Sequence, residues 1–246
     1  MINYICADLK RIMVRLPRVM MTLCVYAVLL IVVAVTYYTG WSSVNFIKNI
    51  QQYIGMVPVA LGLIELIAVF SDDFKAKTMQ VAIGLGISRT KVVLCKLIEM
   101  IVLAVVDAII FAVLALGAAF ILDAGLNPEQ IREFGASISM MAISCVAYTS
   151  LTMIVMFYNQ GTGLGRIVYL ALSGGVVSLA ITLIGLLKYL EALHLDSYTL
   201  THFLSVAKAR WVIGAPDIKP FIAILIYVAV STAITAFLFR KRELEF

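Results

Sequence analysis

The 246-residue chain predicts an all-α membrane protein, with six transmembrane helices and an amphipathic helix ahead of them. Three observations lead there. The residues are 63% hydrophobic and only 13% charged, with a mean hydropathy of +1.05. An average soluble domain carries roughly 25% charge, so a water-soluble fold of this size would lack the groups to cover its surface. Six apolar runs approach the ~20 residues that cross a ~30 Å hydrocarbon core. Lysines and arginines divide unevenly between the segments joining those runs, as orientation signals do. Five prolines and no low-complexity tract argue against disorder.

The chain begins "MINYICADLKRIMVRLPR". Ile2, Ile5, Leu9, Ile12, Met13 and Leu16 recur at helical spacing, and Lys10, Arg11, Arg15 and Arg18 fall mostly on other faces. That pattern suits a helix over 1–18 in the cytoplasmic interface, its basic groups toward anionic lipid head groups. An ordinary basic flank that only sets orientation is the alternative. Pro17 ends the helix and turns the chain into the bilayer. The apolar run behind it is about 20 residues, longer than the 7–15 of a cleavable signal, so it is expected to stay as the first span.

The six spans are predicted at 19–38, 53–70, 93–121, 138–157, 167–187 and 221–238. The third is long enough to tilt or project beyond the membrane. With both termini cytoplasmic, the inner side holds Lys10, Arg11, Arg15, Arg18, Lys75, Lys77, Arg89, Lys91, Lys96, Arg166, Arg240, Lys241 and Arg242. The outer side holds Lys48, Arg132, Lys188, Lys208, Arg210 and Lys219. The bias is about two to one inward, which favours this orientation. The net charge of +5 is then an orientation signal. No basic patch is interleaved with stacking aromatics, so nucleic acid is set aside as a partner.

The outer loop at 188–220 is too apolar to be freely solvated, with Leu193, Leu195, Leu200, Phe203, Leu204 and Val206. One or two short helices against the outer leaflet are expected, with Tyr198 and Trp211 near the head groups. His194 and His202 lack partners for metal binding and read as surface or packing residues. Cys6, Cys24, Cys95 and Cys145 form no CxxC pair and read as small hydrophobes. The "SGGVVS" run at 173–178 supplies small residues for close packing of the fifth span.

The inner loop at 71–92 lies within "FSDDFKAKTMQVAIGLGISRTKVVLCK" (70–96). Asp72 and Asp73 fit first-turn acids after a Ser71 N-cap. Phe74, Met79, Val81 and Ile83 supply apolar contacts and Lys75 and Lys77 supply charge. Gly84 and Gly86 permit a turn, and "SRTK" restarts a helix into the third span. A short amphipathic helix below the membrane cannot bury its apolar side in lipid. It is either a docking element for a soluble protein or a solvated connector.

Three acids fall within spans: Glu65, Glu99 and Asp107. Such groups are costly in lipid and face a protein interior or a wet cavity. Glu65 and Glu99 sit at similar distances from the inner surface and are expected to share a vestibule; Glu99 also has Lys96 one turn away. Asp107 is the deepest, and no basic residue is expected at its depth. It either lines a path or a dimer seam and attracts a cation, or is a neutral acid hydrogen-bonded to a neighbouring span.

No nucleotide chemistry is encoded in the chain by motif. The runs "GLGISR" (84–89) and "GTGLGR" (161–166) lack the Gly-Lys-Ser/Thr end of a P-loop and follow no strand. No Ser/His/Asp, HExxH or paired-Cys constellation occurs, so the chain is expected not to be an enzyme.

The inner loop resembles the loop between the second and third spans of ABC-2 type transporter permeases. There, an acid shortly before a Gly-Thr is followed by Ser-Arg and then a lysine. The matching positions are Asp73, Thr78, Ser88, Arg89 and Lys96, with Lys77 in place of the usual Gly. The six-span order, the amphipathic first helix, the long last outer loop and the basic tail fit as well, so the resemblance covers residues 1–246 as one permease domain. It is greatest to small bacterial permeases that export antimicrobial or toxic peptides.

The resemblance implies an ABC-2 exporter architecture in the bacterial cytoplasmic membrane. It implies that Asp72, Asp73, Phe74, Lys75, Lys77, Thr78 and Met79 form a coupling helix meeting a separate ABC ATPase subunit. Ser88 belongs to the same region, and Arg89 orients the loop or contacts the partner. ATP and Mg would act in that ATPase, with no cofactor in this chain. Six spans are too few to enclose a sizeable path, so a second copy or a homologue would complete a dimer. Glu65, Glu99 and Asp107 would line the path for an amphipathic peptide or a drug. The competing readings are an ion- or proton-coupled carrier and an intramembrane enzyme using the same three acids.

Overall fold

A computed structural model of the chain describes residues 2–75, 78–185 and 195–241. Lys77, Lys188, Leu193, His194 and Arg242 lie outside the described residues. Among those described there is no strand. The helices are α1 (Ile2–Val14), α2 (Leu16–Gly40), α3 (Ser43–Lys75), α4 (Thr78–Gly84), α5 (Arg89–Ile121), α6 (Pro128–Asn159), α7 (Gly163–Ser173), α8 (Val176–Gly185), α9 (Leu200–Val212) and α10 (Ile218–Lys241), with a 3-10 turn at Leu195–Tyr198.

Five helices, α2, α3, α5, α6 and α10, are long and apolar enough to cross a membrane. A sixth crossing exists if the bent pair α7–α8 is one span. α3 and α5 have 33 residues each and α6 has 32. At 1.5 Å per residue these reach about 50 Å, well beyond a ~30 Å apolar core, so they carry polar ends out of the membrane.

Local chemistry sets the helix ends. Pro17 sits in the first turn of α2, where its missing N–H costs nothing. Ser88 caps α5 by accepting from the Lys91 backbone N–H at 3.4 Å. Asn127 and Gln130 form a reciprocal capping box at α6, at 2.8 and 3.0 Å. Thr199 caps α9 by accepting from the His202 N–H at 3.2 Å.

α6 is the central helix and packs against α3, α5, α7, α9 and α10. Small and hydroxylic residues let backbones approach where lipid offers no hydrophobic drive to association: Ser231 of α10 donates to Ser150 of α6 at 3.0 Å. One apolar core gathers around Phe70, Phe157, Tyr169 and Phe239, and a second around Leu29, Phe46, Phe111 and Phe134. The expected short helical structure in the outer loop is α9 and the turn before it. Leu200, Leu204 and Ala207 are buried in the first core, Trp211 stacks edge-on with Phe221 at 5.7 Å, and Tyr198 is exposed.

Four expectations are corrected. α6 begins at Pro128, ten residues ahead of the fourth apolar run, because the Asn127–Gln130 capping box fixes its start there. The second span begins ten residues earlier than its apolar run: residues 43–52 are polar in sequence, yet Phe46, Ile47 and Ile50 recur at helical spacing and are buried against α2. The fifth span is not one straight helix, because α7 and α8 are bent by 60° at Gly174–Gly175. Gly175 adopts φ +79° and a Cβ at Gly174 would lie 2.7 Å from the Leu170 carbonyl, so these glycines make a corner instead of a packing face. Ser71 is not an N-cap: α3 runs through it to Lys75, and its hydroxyl accepts from Arg166 at 3.3 Å. Asp72 and Asp73 therefore close a helix, and α4 begins afresh at Thr78.

Candidate functional site

Two clusters of buried ions tie α1 and the start of α2 to α3 and α5. The inner cluster centres on Lys96, fully buried in α5. Its ammonium meets Asp8 of α1, Asp73 at the end of α3, and Glu99 at 2.8 Å one turn on. Arg11 reaches Asp73 at 3.0 Å and Asp8 at 2.5 Å, and the Thr78 hydroxyl donates to Asp73 at 2.5 Å. The Tyr4 ring lies 5.8 Å from the Lys96 ammonium. Burial pushes the Tyr4 phenol up to about 12; Lys96 opposes this, and Asp73, Asp8 and Glu99 add to it.

Local sequence explains why α1 turns this face inward. Ile5, Asp8 and Ile12 are its three buried residues, at i, i+3 and i+7. Asp8 is thus carried on the apolar stripe, where only a cation such as Lys96 or Arg11 makes its burial tolerable. Arg15, next in the chain, pairs with Asp72 at 2.7 Å.

The second cluster lies further along α5, toward its C-terminal end. Arg18 of α2 donates from Nη2 at 2.7 Å and from Nε at 3.0 Å to Glu65 of α3. Its Nη2 also approaches Asp107 of α5 at 3.5 Å, and the Tyr26 hydroxyl donates to the same Asp107 oxygen at 3.0 Å. Arg18, Thr22, Tyr26 and Leu29 are buried at helical spacing along α2. Lys96 and Asp107 are separated by about 16 Å of helix rise, which sets the distance between the clusters along α5.

This geometry revises the sequence expectations. Asp107 does have a basic neighbour: Arg18, which reads as a flank ahead of the first span but lies inside α2. Glu65 and Glu99 belong to different clusters, Glu65 with Arg18 and Glu99 with Lys96. The Glu99–Lys96 pair is present. Arg11, Arg15 and Arg18 turn to carboxylates of α3 and α5 instead of lipid head groups, leaving Lys10 exposed on α1. Cys6 and Cys24 are exposed and Cys95 and Cys145 buried, all as free thiols.

The inner loop residues also separate. Asp73 and Met79 are buried, at 2% and 4% exposure, so neither can meet a partner directly. Phe74 packs on the core, stacking with Phe70 at 6.4 Å. Asp72 and Thr78 are half-buried, and Lys75, Ser88, Val81 and Leu85 are exposed. Lys77 lies outside the described residues. Arg89 donates to the Phe239 and Arg240 carbonyls at 3.0 and 3.2 Å, and so covers the C-terminal end of α10. The loop is therefore braced on one side to α1 and on the other to α10.

Sequence reasoning missed Asp8, Arg18 and Tyr26. The available signal was the face they occupy: Asp8 on the buried stripe of α1, and Arg18 four and eight residues before Thr22 and Tyr26. No family model matches the chain. No curated protein matches it either.

Proposed function

We propose that this chain is the membrane subunit of an ATP-driven exporter of the ABC-2 type, working in the bacterial cytoplasmic membrane with both termini inside. It forms the path for an amphipathic or antimicrobial peptide, or a drug, and pairs with a second copy or a homologue. A separate ATPase, holding ATP and Mg, drives it through the 71–92 region.

The observation that carries this reading is the bracing of that region. Asp73 is locked to Arg11, Lys96 and Thr78, and Arg89 to the end of α10, while Val81 and Leu85 stand exposed at 61% and 81% at the tip. A tip with apolar side chains outward and a rigid ionic root suits force transmission from a soluble partner into α1, α3, α5 and α10. Asp73 and Met79 then act as internal supports, and Lys75, Ser88, Val81 and Leu85 form the contact. Asp72, Phe74 and Thr78 hold the tip to its root.

The test is affinity purification in mild detergent followed by ATPase measurement. The expected result is a co-eluting protein with a Walker A motif, lost from Val81→Glu and Leu85→Glu variants whose melting is unchanged. Transport by the purified chain alone in liposomes, without ATP, would overturn the reading in favour of an ion- or proton-coupled carrier. The intramembrane-enzyme reading has less support, because Glu99 lies about 12 Å of helix rise from Asp107 and the three acids form no single constellation.

A further inference from the structure

α3 carries a proline in its interior, Pro58. Proline has no N–H to give to the Ile54 carbonyl, and its ring crowds that oxygen, so one rung of the helix ladder is missing there. A long helix bends most easily at such a rung. Two groups from neighbouring helices converge on the carbonyl of Pro58 itself. The Tyr169 hydroxyl of α7 donates to it at 2.6 Å, and the Cys145 thiol of α6 lies 4.0 Å from it. Gly62 permits this approach, because a Cβ there would stand 1.7 Å from the Tyr169 hydroxyl oxygen. Tyr169 is fully buried.

Pro58 also lies close to the point where α3 changes its packing partners. Phe46, Ile47, Ile50, Ile54, Val57 and Leu61 belong to the core that holds Leu29 and Phe111. Leu66, Val69 and Phe70 belong to the core that holds Phe157 and Phe239. α2 contributes Tyr26, Leu29 and Val33 to the first of these cores. Tyr169 is a member of the second. Its bond to Pro58 therefore ties one core to the other beside the missing rung.

We propose that Pro58 is a hinge in α3 and that the Tyr169 hydroxyl is its catch. With the bond made, the arms at 43–57 and 59–75 keep their present alignment. With the bond broken, the 43–57 arm tilts on the other and carries the packed part of α2 with it. The second arm ends at Lys75, within the 71–92 region. A push received there reaches the hinge along about 25 Å of helix. In the exporter reading that push releases the catch; the hinge goes beyond that reading and does not depend on it.

The experiment is a double electron–electron resonance distance measurement on the full chain in phosphatidylcholine nanodiscs. Nitroxide labels are attached at Lys48→Cys on the 43–57 arm and Leu164→Cys on α7, both exposed positions. The exposed native thiols are removed by Cys6→Ser and Cys24→Ser. This parent chain is expected to give one main distance. Tyr169→Phe keeps the ring and removes only the hydroxyl. It should raise the ratio of a second, displaced distance to the main one about tenfold, the value of one lost buried hydrogen bond. Pro58→Ala restores the rung and should give the main distance alone, both by itself and together with Tyr169→Phe. A purely structural Tyr169 hydroxyl predicts instead that the double variant behaves like Tyr169→Phe. An unchanged distance distribution in Tyr169→Phe would overturn the proposal, as would a second distance that persists when Pro58→Ala is added. The measurement needs neither ATP nor a partner. Its failure leaves the exporter reading standing, and loss of that reading leaves the hinge standing.

Discussion

Arg18 and Glu65 meet across 47 residues of sequence, with two guanidinium nitrogens of one donating to the Oε1 of the other at 2.7 and 3.0 Å. The pair fastens the start of the first crossing to the middle of the second. Arg18→Leu leaves Glu65 and Asp107 buried without a counter-charge and should cost about 3–5 kcal/mol. Arg18→Leu combined with Glu65→Leu should recover part of that, because one of the two stranded acids is removed while Asp107 stays buried. Arg18→Lys should fall between, since an ammonium cannot reproduce the planar fork. Melting in detergent measures all three; strict additivity of the two leucine changes would refute the pairing.

Tyr4 makes the inner cluster sensitive to alkali. Its folded pKa of about 12 lies above the ordinary value of 10.0. The folded state therefore keeps a proton that the unfolded chain gives up. The associated stability is present in full below pH ~10 and is lost as pH rises toward ~12. Over that window, wild type should lose stability faster than Tyr4→Phe. Parallel pH profiles for the two chains would show that the phenol is not buried against Asp73, Asp8 and Glu99.

Arg89 supplies donors to the last carbonyls of α10 and stacks on the Phe239 ring, 5.8 Å from its centroid. Arg89→Ala should cost about 1–2 kcal/mol locally. Amide exchange in the last turn of α10 should rise roughly tenfold, with little change in global melting. Arg89→Lys should restore part of the protection. Unchanged exchange in Arg89→Ala would remove the bracing role on which the coupling proposal leans.

Gly62 is a packing requirement of the α3–α7 contact. A Cβ there would lie 1.7 Å from the Tyr169 hydroxyl, which donates to the Pro58 carbonyl at 2.6 Å. Gly62→Ala should destabilise by about 1–3 kcal/mol or more through overpacking. Gly135→Ala, where nothing lies within 4 Å, should be neutral or slightly stabilising in its helix. Similar melting for the two variants would contradict the close approach.

Much of the fold was legible because a membrane helix answers to local quantities. Apolar run length and charge placed the crossing helices to within a few residues, apart from the starts of α3 and α6, each ten residues earlier than its apolar run, and the bend in the fifth. The first and the last of these exceptions are tertiary. The polar stretch at 43–52 becomes helix because Phe46, Ile47 and Ile50 find α2 to pack against. The glycine pair at 174–175 becomes a corner because a left-handed residue ends α7 there. The candidate site was legible in half: Glu65, Glu99, Asp107 and Lys96 stand out as charges in apolar runs. Asp8 and Arg18 look like ordinary members of a polar, basic leader.

The amino-acid order by itself determined that this is an all-helical, multi-pass chain, and which acids would have to be answered inside it. Transfer from water to lipid is set residue by residue along a run, so it can be read from composition. Only the tertiary structure decided who answers whom: Arg18 takes Glu65 and approaches Asp107, Lys96 gathers Asp8, Asp73 and Glu99, and Arg89 holds α10. Those partners lie as far as 151 residues apart, and an ion pair depends on distances of a few ångströms, which helix packing alone creates.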